Sequence, residues 1–157
     1  MKKIIAFFLI LLGLIFVACG KESGIGEFID KEKISSEYNI EKEDENSIKF
    51  KDKDENSEVY RIFSIEKMLK VDYNNPNKLD KLEEFYLNHD WKTLYKDEET
   101  LMVSHEEADT QGYEYNIHTF DNSKTELSII ISVGATRKLS EAELVNMLKE
   151  AKSFIKK

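Results

Sequence analysis

One cysteine, one proline, one tryptophan and three histidines in 157 residues leave this chain few routes to chemistry. A lone cysteine cannot close an intramolecular disulfide, so packing alone must hold the fold. Three scattered histidines are too few to argue a triad from, and no G-x-S-x-G elbow is present. Six glycines, three of them at positions 20, 24 and 26, leave little backbone for a phosphate-cradling loop. Positive charge is also scarce, with 23 Lys plus Arg against 31 Asp plus Glu and a net charge of −8. That balance excludes a nucleic-acid partner, because phosphate contacts need clustered Lys and Arg.

What is present is concentrated at the start. Lys2 and Lys3 precede an apolar run from Ile4 to Ala18, broken only by Gly13, and Cys19-Gly20 follow. As a helix the run would reach about 22 Å, at about 1.5 Å per residue. The hydrocarbon core of a bilayer is about 30 Å thick, so the run is short for a span and suited to the h-region of a signal peptide. The two lysines supply the positive n-region.

The segment Phe16-Val17-Ala18-Cys19 resembles the lipobox of bacterial lipoproteins, with Phe16 in place of the usual Leu. The resemblance covers this segment alone. It implies cleavage before Cys19, a diacylglyceryl thioether on its sulfur, and a free or acylated α-amine. Two or three acyl chains suffice for stable anchoring, since each buried CH₂ contributes about 0.8 kcal/mol. The alternatives are an uncleaved N-terminal membrane helix and secretion with cleavage elsewhere. Both also place the rest of the chain outside the cytoplasm. Loss of residues 1–18 removes two lysines and no acid, taking the balance from −8 to −10.

The expected organisation is a signal peptide over 1–18, the lipidated cysteine and a flexible tether over 19–45, and one small α+β domain over 46–157. In the tether, Phe28, Ile29, Ile34, Tyr38 and Ile40 stand singly among charges, too sparse to offset the entropy of ordering them. A short helix near Glu27–Ile34 is the one element it suggests.

Within the domain, Ser47–Lys51 alternates as a strand, Asp52–Ser57 turns, and Glu58–Ile65 returns. Glu66–Leu69 either extends that strand or turns helical. Asn75-Pro76 reads as a cap and first helical residue, with Leu79, Leu82, Phe85, Tyr86 and His89 forming the apolar stripe. Strands follow from Trp91 and over Leu101–His105. Tyr113, Tyr115 and Ile117, then Leu127, Ile129, Ile131 and Val133, alternate as a hairpin around the turn residues Asp121-Asn122-Ser123. Ser140 and Glu143 form a capping box for a last helix carrying Leu144, Val145, Leu148 and Ala151. The expected fold is α+β, with one antiparallel sheet of five to six strands in the order ββ-α-ββββ-α and two helices on its apolar face.

Candidate chemistry is thin. His105, Glu106 and Asp109, with His118 nearby, offer nitrogen and oxygen ligands, but zinc spacings such as H-E-x-x-H are absent. Asp52–Asn56 starts like a calcium loop, yet Ser57 and Phe63 occupy the positions that need Gly and Glu. No cofactor is expected. Tyr86, Trp91, Tyr95, Tyr113 and Tyr115 are the candidate binding surface, because Tyr and Trp favour interfaces; the competing role is core filling. The function these features suggest is a lipid-anchored, non-enzymatic envelope lipoprotein that binds another envelope protein, a glycan or a toxin-like molecule. An envelope hydrolase using Glu or Asp with one His, and a metal- or solute-binding lipoprotein, stand as alternatives.

Overall fold

The structure, a computed structural model, describes residues 24–68, 75–107, 112–121 and 127–156. After a 3-10 turn at Ile25–Glu27 come α1 (Lys31–Glu37), β1 (Asn39–Glu43), β2 (Ser47–Lys51) and β3 (Val59–Lys67). Helix α2 (Lys78–Leu87) leads to β4 (Lys92–Lys96), β5 (Thr100–Glu107), β6 (Gly112–Asp121), β7 (Leu127–Ala135) and α3 (Glu141–Lys152). The fold is α+β, with one antiparallel sheet in the order β1-β2-β3-β7-β6-β5-β4. The chain climbs through β1–β3, crosses to the far edge with α2, and returns through β4–β7 to close beside β3.

Three features differ from the sequence expectation. Among the described residues the sheet has seven strands rather than five or six, and three helices rather than two pack on it. The helices also divide between the two faces. Pairings such as Ile65↔Ile129 and Phe63↔Ile131 define one face, which α1 and α3 cover over β1, β2, β3 and β7. Helix α2 lies on the opposite face, over β4 and β5, where Leu101 and Val103 are buried beneath it.

The first core is large. Phe50 and Phe63 stack at 5.0 Å, and Phe154 meets Phe50 edge-on at 5.4 Å. Tyr38 closes the cluster, 5.2 Å from Phe63 and 5.6 Å from Phe154. Such aromatic pairs contribute about 0.5–1.5 kcal/mol each beyond their burial.

Residues 24–45, expected as a tether, are part of this core. Ile25, Ile29, Ile34 and Tyr38 are at most 3 % exposed. Each lone apolar residue finds its partners in distant chain, so local composition underestimates what is buried. Asp30 caps α1 by accepting from the Lys33 N–H at 3.0 Å. Its own N–H donates to the Phe154 carbonyl at 2.7 Å, and Ile29 bridges to Ile155. Across the top of the core, Arg61 pairs with Asp52 at 2.7 Å and Glu150 at 2.5 Å. The Tyr38 hydroxyl also donates to Glu150. The Asp52 carboxylate that begins the calcium-like run is therefore committed to Arg61.

Several local readings hold. Both halves of the Ser140–Glu143 capping box form. The alternating hairpin is β6–β7, and β3 runs on as strand to Lys67 rather than turning helical. Helix α2 begins two residues later than its sequence suggests. Asn75 Oδ1 accepts from the Asn77 N–H at 3.0 Å, so Asn75 and Pro76 build a turn and Asn77 is the cap residue. Phe85 is 55 % exposed rather than part of the inward stripe, which is Leu79, Leu82 and Tyr86.

Candidate functional site

Because each face is covered over only part of the sheet, each leaves part of its strands open. On the α2 face the open region spans β6, β7, β3 and β2. Side chains reaching it alternate with the core set: Tyr60 and Ile62 from β3, Ser132 and Gly134 from β7, Glu114 and Asn116 from β6. Two depressions of about 270 and 280 Å³ adjoin here and share Tyr60, Glu114 and Gly134. Together they form a trough with Tyr60 on one side and Trp91 lining the other.

The floor is made of small and polar groups. A side chain at Gly134 would meet no atom within 4 Å of its Cβ, so the space above it is open. Glycine inside a strand weakens it and commonly marks close approach by a ligand or another backbone. Beside it the Ser132 hydroxyl donates to Asn116 Oδ1 at 2.8 Å. That bond leaves the Asn116 amide hydrogens as donors and the Ser132 oxygen as an acceptor. Glu58 and Glu114 supply carboxylates at the rim, which disfavours anionic ligands.

Trp91 is placed by the turn after α2. Asp90 adopts φ 63°, the left-handed region that asparagine and aspartate tolerate better than most residues. This lets the Trp91 N–H return to the Tyr86 carbonyl at 3.1 Å and close the helix. The indole then lies 5.1 Å from the Tyr86 ring and 5.5 Å from the His105 ring. Beneath, the Tyr86 hydroxyl meets His118 Nε2 at 2.8 Å. Burial holds His118 down to about 4, well below its ordinary 6.5, so it is a neutral partner of Tyr86 under α2.

The five aromatics of the sequence reading do not form one surface. Tyr86 and Trp91 come together. Tyr115 is 3 % exposed and its hydroxyl accepts from the Leu139 N–H at 2.8 Å, so it belongs to the large core. Tyr95 lies on the edge strand with its hydroxyl donating to Asp97 at 2.7 Å. Tyr113, at the start of β6, leaves the face opposite to Glu114 and packs half-buried against the large core. Sequence reasoning missed Tyr60, Ile62 and Gly134. The isolated glycine within the β7 alternation is the signal that points to them.

The metal candidates separate. His105 and Glu106 are adjacent on β5, so their side chains leave opposite faces, and Asp109 lies outside the described residues. Among the described residues no three His, Cys, Asp or Glu side chains are placed to share an ion. His105 Nδ1 stands 3.9 Å from Glu114 Oε2 at the trough's margin, beyond hydrogen-bond distance. A second depression of about 460 Å³ lies on the other face, lined by Lys92, Ser104, Glu106, Tyr113 and Lys138 among others. Both sheet edges are bulged and carry lysines, devices that discourage strand addition by a partner. Among the described residues no helix is long and apolar enough to cross a membrane. Comparison with protein-family models, with curated proteins and with solved structures returns no match to this chain.

Proposed function

We propose that the chain is a lipid-anchored bacterial envelope lipoprotein whose α+β domain binds a neutral glycan in the trough between Tyr60 and Trp91. The observation that carries the binding part is the trough itself. It places aromatic faces beside an open strand glycine and an Asn116–Ser132 hydrogen-bonding floor. Sugar rings present apolar C–H faces for stacking and hydroxyl edges for amide and carboxylate partners, which is the chemistry this lining offers. The acidic rim turns away phosphorylated or uronate sugars. Binding fits better than turnover, because acid–base catalysis needs a base within reach of its proton and His105 stands 3.9 Å from Glu114, beyond hydrogen-bond distance. The anchor part rests on Phe16-Val17-Ala18-Cys19, with the acyl-bearing Cys19 in the membrane and the domain outside the cytoplasm.

The single tryptophan makes the trough directly readable. Titrating the purified protein with N-acetylglucosamine and glucose oligomers should give a saturable shift in Trp91 fluorescence with at least one series. Gly134→Leu, which fills open space and touches no core residue, should abolish the shift and leave Tm unchanged. Absence of any shift across both series, or a shift that survives Gly134→Leu, overturns the glycan reading. Separately, cells fed a clickable fatty acid should label the protein. Cys19→Ala should remove the label and leave a larger precursor; persistent label would remove the anchor.

A further inference from the structure

The fold begins close to the cysteine. Gly24 is five residues after Cys19, and five residues reach at most about 18 Å when fully extended. From Ile25 onward the chain is locked. The Ile25 N–H donates to the Glu45 carbonyl at 2.8 Å, and the Lys156 N–H donates to the Phe28 carbonyl at 2.8 Å. Ile25 and Ile29 are at most 1 % exposed. Peeling them out to lengthen the arm would cost about 1.5–3 kcal/mol for each side chain exposed.

This entry point lies at one end of the strands. It sits beside the β1–β2 turn at Glu45 and the end of β3 at Lys67, where the Lys67 N–H donates to the Asn46 carbonyl at 2.8 Å. The trough is at the other end. Its outer lining, Glu58, Tyr113 and Thr136, flanks the start of β3, the start of β6 and the end of β7. Strand β3 has nine residues, so the two poles stand about 26 Å apart, at about 3.3 Å per residue. An arm of at most about 18 Å cannot let the domain turn over and bring the trough pole to the bilayer.

Given a lipid on Cys19, we infer that the pole formed by Gly24–Phe28, the Glu45–Asn46 turn and Lys156 rests on the lipid headgroups of the membrane that holds the anchor. The trough pole is turned away from it. The surface is thus a membrane-docking face, and the occupant is the bilayer itself. The inference rests on the anchor reading and refines it: the domain is not displayed on a long stalk but stands on its own base.

The full-length lipidated protein, reconstituted in phosphatidylethanolamine–phosphatidylglycerol vesicles with headgroup-nitroxide lipid, tests it. Glu27→Cys at the base and Thr136→Cys at the trough each give one free thiol for a fluorophore, since Cys19 is occupied by lipid. Both positions are exposed, so neither change disturbs the core. Quenching should be several-fold stronger at position 27 than at 136. A flexible Gly/Ser insert of about 30 residues after Ser23 should bring the two values together. Equal quenching at the native arm length, in protein whose intact mass carries the lipid, overturns the orientation and leaves the anchor standing. Protein recovered at the unlipidated mass overturns both.

Discussion

The two faces of the sheet hold the same protein together with very different means. Under α1 and α3, among the described residues, twenty buried side chains form one cluster that joins Ile25 and its neighbours to Phe154. Under α2, four buried side chains, Leu79, Leu101, Val103 and Phe120, are supplemented by half-buried Met68, Leu82, Tyr86 and Trp91. The large core is apolar and aromatic. The small core includes His118, whose charged form is disfavoured by burial. Stability is therefore concentrated on one face, and the face that carries Trp91 is the one most able to open locally.

Substitution in the large core should break the whole domain. Phe154→Ala removes the ring that contacts Phe50, Phe63 and Tyr38, and should cost about 4 kcal/mol in urea unfolding, with every probe moving together. A loss confined to α3, with the sheet intact, would contradict a single cooperative core.

Acid should find the small core first. Between pH 6.5 and about 4 the unfolded chain protonates its histidine and the folded His118 does not. The unfolded state then binds more protons, so stability falls as pH falls through this window, by about 3 kcal/mol across it. His118→Gln should flatten that part of the pH profile in chemical denaturation. An unchanged slope would show that His118 is not the responsible group.

The smallest expected change is also the most discriminating. Leu79→Ala should cost about 2 kcal/mol, the low end for a core leucine, because its surroundings are few and half-open. Hydrogen exchange should show α2 amides losing protection while β3 and β7 keep theirs. Uniform loss across the sheet would mean that the two cores are one unit.

Local signals were legible where the residues that make an element are neighbours in sequence. Ser140 and Glu143 cap each other across three positions, and the β6–β7 hairpin alternates over adjacent strands. Legibility failed where partners are remote. Ile29, Ile34 and Tyr38 look like isolated apolar residues in a charged arm because Phe154 and Ile155 lie more than a hundred positions away. The split of helices between faces was hidden for a related reason: an amphipathic stripe says that a helix buries one side, not which side of a sheet receives it. Of the candidate site, Trp91 was legible as an aromatic. Tyr60 and Gly134 were not, since their importance comes from β3 pairing with β7, a register no short motif encodes.

The bridge between Ile29 and Ile155 also fixes when this protein becomes a protein. Synthesis is vectorial, and the turn after α3 completes the core that Ile25 and its neighbours begin. Until Phe154 emerges, Ile25, Ile29, Ile34 and Tyr38 have no roof, and the sheet lacks its central strand β7 until shortly before. Pairings this distant in sequence fold late and leave apolar surface open in the meantime. A chain cut before Phe154 therefore yields not a slightly shortened domain but one whose large core never closes.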